Sequence, residues 1–369
     1  MFNRRNVISF IFASVMIIYF VFCVYQEYGY IALSPQILLL PEIITAEAVI
    51  LAASVFCRIS HIAGYLICGL MSGYKFISAE IFGFVFRKEN GHIAADKYKY
   101  RKTVNVAMEP PEMQDGNFPF VLYRLGGVLI YSFFTVVMLF FSLILFFSWD
   151  FMLSAMFFCS FSLFAANAVL YMLPVRKGAI GVFPLIRLLK NDEIARELYY
   201  RCAVITAGIY KGIRLSEQDS RLFAEPSDAD FSDNIRSEIL FKKMWRFLDE
   251  KNFSEAERII DLILDERTVM SDNLKNYARL ERIFVELVTE KREEVIKSFL
   301  SDDIIYFADK NQDTLCVLRL KYALARFYYY NEKDAELYKD KFIKLSTLSS
   351  SRYPADAVTD IELFNIISR

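Results

Sequence analysis

Three potential ligands and a tyrosine recur on one face of an apolar segment. Cys57, His61, Tyr65 and Cys68 lie at offsets of −4, 0, +4 and +7 from the histidine, and such offsets share one face of an α-helix. Because zinc accepts thiolates and imidazoles, Cys57, His61 and Cys68 are candidate ligands. Alternatively, the cysteines are small apolar residues and His61 is a buried, hydrogen-bonded polar group. We favour this alternative, since no carboxylate base is adjacent.

The stretch HIAGYLICGLMSGY, residues 61–74, also has the outline of a zinc-protease helix. In the HExxH motif, two histidines one turn apart bind the metal and the glutamate acts as general base. Here His61 keeps the first position, Ile62 replaces the glutamate and Tyr65 replaces the second histidine. The only other histidine in the chain is His92, so no complete HExxH motif exists elsewhere.

The elements that carry these residues are predicted to lie in a membrane. Hydrophobic residues make up 55% of the 369 residues, which is high for a soluble domain. A membrane helix needs roughly 20 apolar residues, and four segments meet this requirement: residues 7–25, 43–71, 121–147 and 151–173. The first is interpreted as an uncleaved signal anchor, since no small-residue cleavage site follows it.

The distribution of basic residues predicts the orientation, because Lys and Arg favour the cytoplasmic side. The loop after the first span has neither, whereas the next loop carries seven of them between Lys75 and Lys102. Arg176 and Lys177 follow the fourth span. We therefore expect a mainly α, polytopic protein with both ends inside and reduced cysteines. The net charge of −1 gives no indication of nucleic-acid binding.

Two further regions are predicted on the cytoplasmic side. Residues 74–105 contain short β-branched and aromatic runs around Glu89-Asn-Gly91, which favours a β-hairpin. Residues 189–369 are charged and have helical periodicity. The stretches WRFLDEKNFSEAERIIDLIL and LARFYYYNEKDAELYKDKFIKL are loosely alike and resemble tetratricopeptide-type helical hairpins, whose stacking forms a peptide-binding surface. A plain helical bundle is an equal alternative.

From about residue 45 to residue 225 the chain resembles the site-2 protease family of intramembrane metalloproteases, particularly a bacterial branch. The matching features occur in the family's order: Gly64, Gly69, Gly73-Tyr74, a hairpin containing RKENG, Pro110-Pro111, Asp115-Gly116 and LYRLGG at 122–127. The resemblance implies three regions: a signal anchor and external loop at 1–42, a membrane core at 43–188, and the cytosolic helical domain at 189–369.

The departures from the family fall on its catalytic positions. Tyr171 stands where the family has the asparagine of Asn-x-x-Pro, although Pro174 is kept. Ile180 stands where the aspartate ligand is expected, and Tyr131 follows Gly126-Gly127 where the family has a substrate-holding asparagine. The resemblance thus implies a substrate groove at Gly126, Gly127, Tyr131, Tyr171 and Pro174 without a complete catalytic site.

These patterns predict an inactive, site-2-protease-like protein, integral to a bacterial plasma membrane, that acts as a regulator or scaffold. The expected partners are the bilayer, a membrane-protein or peptide segment, and a cytosolic protein bound through residues 190–369. No cofactor is expected. One alternative is a zinc metalloprotease with an unusual ligand set, for which zinc would be required. A second is a component of peptide transport or immunity.

Overall fold

The computed structural model describes residues 4–28, 40–89, 92–97, 104–172, 181–226, 230–349 and 354–368. Helices dominate it, and one small sheet lies between the second and third helices. The elements in chain order are α1 (Arg4–Tyr28), α2 (Leu40–Met71), β1 (Lys75–Ile81), β2 (Phe84–Glu89), β3 (His92–Lys97), β4 (Val104–Glu109), α3 (Phe120–Phe147), α4 (Phe151–Met172), α5 (Val182–Asn191), α6 (Glu193–Tyr210), α7 (Asn234–Asp249), α8 (Phe253–Leu264), α9 (Asp272–Val288), α10 (Glu293–Phe299), α11 (Asp302–Lys310), α12 (Leu315–Phe327), α13 (Glu332–Ser349) and α14 (Pro354–Ser368).

Helices α1 to α4 are each long and apolar enough to span a membrane. The qualifying stretches are Val7–Gln26, Glu47–Met71, Phe120–Phe147 and Phe151–Met172. Large apolar side chains on these helices face outward, as with Phe10, 72% exposed, and Val136, 67% exposed. Soluble monomers rarely expose such surfaces, whereas a bilayer covers them. The four predicted spans therefore correspond to α1 to α4, while the predicted orientation stays a prediction.

Hydrogen bonds between helices join α1, α3 and α4. The Ser142 hydroxyl donates to the Ser154 carbonyl oxygen at 3.0 Å, and the Ser154 hydroxyl donates to the Ser142 carbonyl oxygen at 2.7 Å. The hydroxyl oxygen of Tyr19 on α1 lies 2.9 Å from that of Ser154. Side-chain hydrogen bonds of this kind hold helices together in an apolar solvent that gives little hydrophobic drive.

The sheet is antiparallel, with strand order β3-β2-β1-β4. Strands β2 and β3 form the predicted hairpin, in which Glu89 pairs with His92, and the Asn90-Gly91 turn lies outside the described residues. The prediction missed the other two strands. Phe82 and Gly83, with φ values of 49° and 87°, join β1 to β2, and such left-handed pairs suit a two-residue hairpin turn. Strand β4 pairs with β1 from a distant part of the chain.

Helices α5 and α6 connect the membrane helices to the rest of the chain. The amphipathic α5 buries Leu185, Ile186 and Leu189 in a core shared with α3, α6 and β4. Asp192 begins the next helix, because its carboxylate accepts a 2.9 Å hydrogen bond from the Ala195 N–H. The same carboxylate accepts from the Arg236 guanidinium at 2.7 Å, which ties α7 to this junction.

Three helical hairpins in the C-terminal region share one turn geometry. Lys251, Lys291 and Tyr330 each have a φ between 52° and 59° and lie two or three residues after the end of a helix. In each turn a backbone N–H donates at 2.9 Å to the carbonyl oxygen five residues earlier, as helix-capping bonds do: Asn252 to Phe247, Lys291 to Glu286 and Tyr329 to Leu324. The turns recur at residues 251, 291 and 330. This interval is longer than the roughly 34 residues of a tetratricopeptide unit. We call α7 to α13 the helical array.

Helix α14 folds back across the helical array and contacts α6, α7, α12 and α13. The Arg214 guanidinium, from the segment after α6, donates to Asp249 on α7 at 2.6 Å and to Glu362 on α14 at 2.7 Å. Asp249 also accepts from the Thr359 hydroxyl on α14 at 2.6 Å. These bonds join α7, the first helix of the array, to α14.

Candidate functional site

His61 lies in the middle of three tyrosine rings, and we call these four residues the His61 cluster. Tyr131 on α3 stacks on the imidazole, with ring centroids 5.3 Å apart and an interplanar angle of 17°. Tyr171 on α4 lies 4.3 Å away, and Tyr65, one turn along α2, presents its ring at 4.9 Å and 80°. Three membrane helices therefore contribute to one aromatic group.

Glycines make this approach possible. A Cβ atom added to Gly64 would lie 2.3 Å from the carbonyl oxygen of Gly126, and one added to Gly126 would lie 2.5 Å from that of Gly64. The backbones of α2 and α3 thus touch where they cross, as small residues allow in membrane helices. A Cβ atom on Gly127 would lie 2.5 Å from both Cε1 and Nδ1 of His61. The imidazole therefore rests directly on the α3 backbone.

The imidazole keeps an unsatisfied polar atom. Nδ1 of His61 is buried and has no hydrogen-bond partner within the described residues. The sequence analysis expected a hydrogen-bond partner for the buried His61, whereas its Nδ1 lies against aromatic rings and the Gly127 backbone. Ile62, in the position of the catalytic base, is 3% exposed and belongs to the packed interior. An isoleucine side chain can neither accept nor donate a proton, so no general base stands there.

The residues do not fit a catalytic zinc ion. Cys57 packs with Tyr131, Phe164 and Ala168. It lies eleven positions before Cys68 on one continuous helix, about 16 Å along an axis that rises roughly 1.5 Å per residue. Zinc ligands lie about 2.0–2.3 Å from the metal, so both thiols cannot share an ion with His61.

No other side chains complete a ligand set. Among the residues that the structure describes, no three His, Cys, Asp or Glu side chains are grouped as metal ligands. Residues 173–180, outside the described ranges, read LPVRKGAI and contain none of these types. The position of the second histidine holds Tyr65, whose ring packs against His61. The described residues therefore do not supply the three protein ligands that a catalytic zinc ion requires.

The predicted groove residues are partly brought together. Tyr131 and Tyr171 both contact the imidazole, and Gly126 and Gly127 form the contact surface with α2. Tyr131 is 3% exposed, whereas Tyr171 is 38% exposed, so the His61 cluster is open on the α4 side. Pro174 and Ile180 lie outside the described residues.

Tyrosines also extend from the His61 cluster to the sheet, and the sequence did not reveal this arrangement. Tyr65 packs edge-on against Tyr123 at 5.3 Å, and Tyr123 stacks on Tyr74 at 4.3 Å and 20°. Burial raises the pKa of Tyr74 well above its usual range, so its hydroxyl stays protonated. The sequence offered one sign of this arrangement: Gly69 lies between Tyr65 and Tyr74, and a glycine there leaves room for the ring of Tyr123.

Arg124 follows Tyr123 near the start of α3. Its guanidinium carbon is 4.7 Å from the centroid of the Tyr199 ring on α6, a cation–π contact. Its Nε is buried without a hydrogen-bond partner in the described part of the chain. Local sequence patterns do not reveal this contact, because Arg124 and Tyr199 lie far apart along the chain.

No protein-family model matches the chain, and comparisons with curated proteins and with solved structures give no significant match.

Proposed function

We propose that this chain is a catalytically inactive, site-2-protease-like membrane protein that holds a transmembrane or peptide segment. In this proposal the segment binds at the His61 cluster, and residues 190–369 recruit a cytosolic protein, so that the whole acts as a regulator or scaffold. The observation that carries the proposal is the packing of His61. Rings of Tyr65, Tyr131 and Tyr171 surround the imidazole at centroid distances of 4.3–5.3 Å, in place of metal ligands.

The groups available in the His61 cluster suit binding better than hydrolysis. Tyrosine hydroxyls both donate and accept hydrogen bonds, and a neutral imidazole offers one donor and one acceptor. In a bilayer, such groups are valuable to a segment whose backbone is partly unwound, because lipid cannot satisfy it. The cluster is open where Tyr171 is 38% exposed, which gives a segment access from the α4 side.

Site-specific photo-crosslinking tests the binding part. A photoreactive phenylalanine analogue replaces Tyr171, and a matched variant carries it at Val136, which is 67% exposed on α3 away from the cluster. We expect a discrete adduct with a peptide or membrane segment from Tyr171 and only diffuse lipid labelling from Val136. Equal labelling at both positions would contradict a groove at the cluster.

One observation favours the alternative of a zinc protease with an unusual ligand set: the unpaired Nδ1 of His61. Elemental mass spectrometry of the detergent-purified protein, beside His61→Ala, separates the two functions. We expect less than about 0.1 zinc per chain in both samples, since the ligand set is incomplete. About one zinc per chain, lost in His61→Ala and accompanied by chelator-sensitive cleavage of a co-expressed membrane substrate, would replace our proposal.

A further inference from the structure

Arg58 carries a charge in the middle of the second membrane helix. It lies eleven positions after Glu47 and thirteen before Met71, the ends of the stretch of α2 that is apolar enough to span a bilayer. At roughly 1.5 Å per residue, these ends are about 16 and 20 Å away along the helix axis. In a hydrocarbon core about 30 Å thick, Arg58 therefore lies near the midplane, too deep for its side chain to reach either headgroup layer.

The Arg58 side chain is exposed and has no ionic partner. Within the part of the chain that the structure describes, its guanidinium makes no hydrogen bond and no ion pair. Its carbon Cζ lies 6.0 Å from the centroid of the Phe82 ring, in the turn between β1 and β2. That distance is the outer limit of a cation–π contact. Because charges inside membrane proteins are normally paired, an exposed and unpaired one indicates a site for a partner.

This chain does not provide the opposite charge. Glu47 is the only Asp or Glu in the four spanning stretches, and it lies about 16 Å from Arg58 along the same helix. Glu80, two residues before Phe82, is 5% exposed and is not bonded to Arg58. A second copy in the same orientation would bring the same four spans, again without a carboxylate at this depth. The opposite charge must therefore come from a different protein.

The surface beside Arg58 is apolar and suits a helix in a bilayer. Leu51 and Val55, at offsets of −7 and −3 from Arg58, share its side of α2 and are 69% and 40% exposed. The contact with α3 lies elsewhere around the helix, at Gly64. His61 is three residues after Arg58 and therefore its neighbour on the helix surface. A segment that lies on Arg58 is thus beside the His61 cluster.

We infer that α2 binds a transmembrane helix of another protein that carries an Asp or Glu near mid-membrane depth, and that this carboxylate pairs with Arg58. A guanidinium and a carboxylate form two parallel hydrogen bonds, and no water competes for them in hydrocarbon. Leu51 and Val55 would pack against the same helix. The inference rests on the proposed function for the transmembrane nature of the bound segment, and it adds the chemistry by which that segment is selected.

The test uses the full chain in phosphatidylcholine liposomes. The probe is a fluorescent synthetic helix of about 21 Leu and Ala residues with one Asp at its centre and Lys pairs at both ends, which fix its depth. Matched copies have Leu at the centre or the Asp seven residues nearer one end. Energy transfer to an acceptor on the N-terminus of the protein measures association. We expect the central-Asp helix to associate about tenfold more tightly than the other two, because only its carboxylate lies at the depth of Arg58.

Two substitutions at Arg58 locate the effect. Arg58→Leu should reduce the preference for the central-Asp helix to less than about twofold, whereas Arg58→Lys should keep most of it, because the charge is retained. Unfolding in mixed micelles of rising SDS content verifies that the variants fold. Arg58→Leu should resist SDS at least as well as the wild type, since the exposed guanidinium has no ionic partner in the free protein.

Several outcomes would overturn the inference. They are equal association of the central-Asp and central-Leu helices with the wild type, or a preference for Asp that persists in Arg58→Leu. A marked loss of SDS resistance in Arg58→Leu would instead make Arg58 a structural support of the turn at Phe82. Phosphatidylglycerol that raises the SDS resistance of the wild type alone, without any preference for Asp, would assign Arg58 to a lipid phosphate.

The crosslinking experiment at Tyr171 separates this inference from the proposed function. A discrete adduct at Tyr171 without a preference for the central-Asp helix would refute only the role of Arg58. A preference for that helix without an adduct at Tyr171 would refute only binding at the His61 cluster.

Discussion

The membrane helices and the helical array surround their buried polar side chains with different groups. Near the His61 cluster, Nδ1 of His61 and Nε of Arg124 are buried without hydrogen-bond partners among the described residues, and aromatic rings surround them. In the array, the fully buried Arg319 donates to both oxygens of Glu281 at 2.9 Å and to Asp360 at 3.1 Å. Nη1 of Arg319 also has no hydrogen-bond partner among the described residues, but two carboxylates accept from the rest of its guanidinium, whereas aromatic rings are the neighbours of His61 and Arg124.

The difference teaches where function is to be sought. A satisfied buried network specifies one arrangement of helices, and breaking it costs stability. An unsatisfied buried group has a cost in the free protein that a bound segment can remove. The contrast therefore indicates an architectural role for the Arg319 network and makes the His61 cluster the place to test for binding.

The largest effect is expected from Arg319→Met. It leaves Glu281 and Asp360 buried without their cation, which should lower the free energy of unfolding by about 3–5 kcal/mol. Denaturant titration in mild detergent, followed by Trp245 fluorescence in a Trp149→Phe background, measures it, since these are the only two tryptophans. The control is Arg267→Leu, which removes an ion pair from a side chain that is 91% exposed and should cost less than about 0.5 kcal/mol. Similar losses of stability in Arg319→Met and Arg267→Leu would contradict the architectural role of the Arg319 network.

The next effect concerns the glycine contact in the membrane half. Gly127→Ala places a Cβ atom 2.5 Å from Cε1 and Nδ1 of His61, and such overpacking should cost about 1–3 kcal/mol. Unfolding in mixed micelles of rising SDS content, followed by circular dichroism, measures the loss. His61→Ala in the same chain removes the obstructing ring and should restore most of the stability. If the double variant is no more stable than Gly127→Ala, the imidazole is not packed on the α3 backbone.

A smaller effect is expected from pH. Burial raises the pKa of Glu281 from 4.5 to about 7, against the attraction of Arg319. Between these values the folded protein keeps a proton that the unfolded chain has lost. Stability should therefore fall as pH rises through this window, by at most about 1.4 kcal/mol per pH unit, and then level off. Glu281→Gln should flatten this limb.

The acid limb of the stability curve, below pH 4.5, provides an internal control. The Arg292 guanidinium holds the pKa of Glu286 at about 2, and the Arg214 guanidinium does the same for Glu362. Their contribution is present above pH 4.5 and is lost as pH falls towards 2. Glu281→Gln should not change this acid limb. An unaltered slope between pH 4.5 and 7 in that variant would show that Glu281 is not the group that titrates.

The smallest effect is a stabilisation in the shared turns. Tyr330 has a φ of 52° and is 81% exposed, and glycine adopts this conformation without steric cost. Tyr330→Gly should raise the free energy of unfolding by about 0.5–1 kcal/mol, from relieved αL strain. Tyr329→Gly is the matched variant outside this conformation and should destabilise the array. A loss of stability in Tyr330→Gly would mean that its ring contributes more than its backbone costs.

The sequence predicted the parts of the fold that depend on local pattern. Apolar run length identified α1 to α4, and the Asn-Gly turn identified β2 and β3. Strands β1 and β4 were missed because their pairing joins distant segments, which local turn signals do not encode. The return of α14 onto α6 was missed for the same reason.

The site was predictable to a similar degree. Helical spacing predicted that His61 and Tyr65 are neighbours. The family resemblance pointed to Tyr131 and Tyr171, both of which contact the imidazole. Spacing alone could not show that Gly127 lies beneath the imidazole, because that contact depends on how α2 and α3 cross. Nor could it show that Cys57 and Cys68 lie too far apart along α2 to bind one metal ion. Residues on one helical face are not necessarily close enough to bind one metal ion.

Helix α14 has a consequence for the synthesis of the protein. Asp360 and Glu362 on α14 are partners of Arg319 and Arg214, both of which leave the ribosome earlier. Until residues 354–368 emerge and dock, the nascent array holds arginines whose final partners have not been made. Docking of α14 therefore completes these two ion pairs only after the helices that carry the arginines have been made.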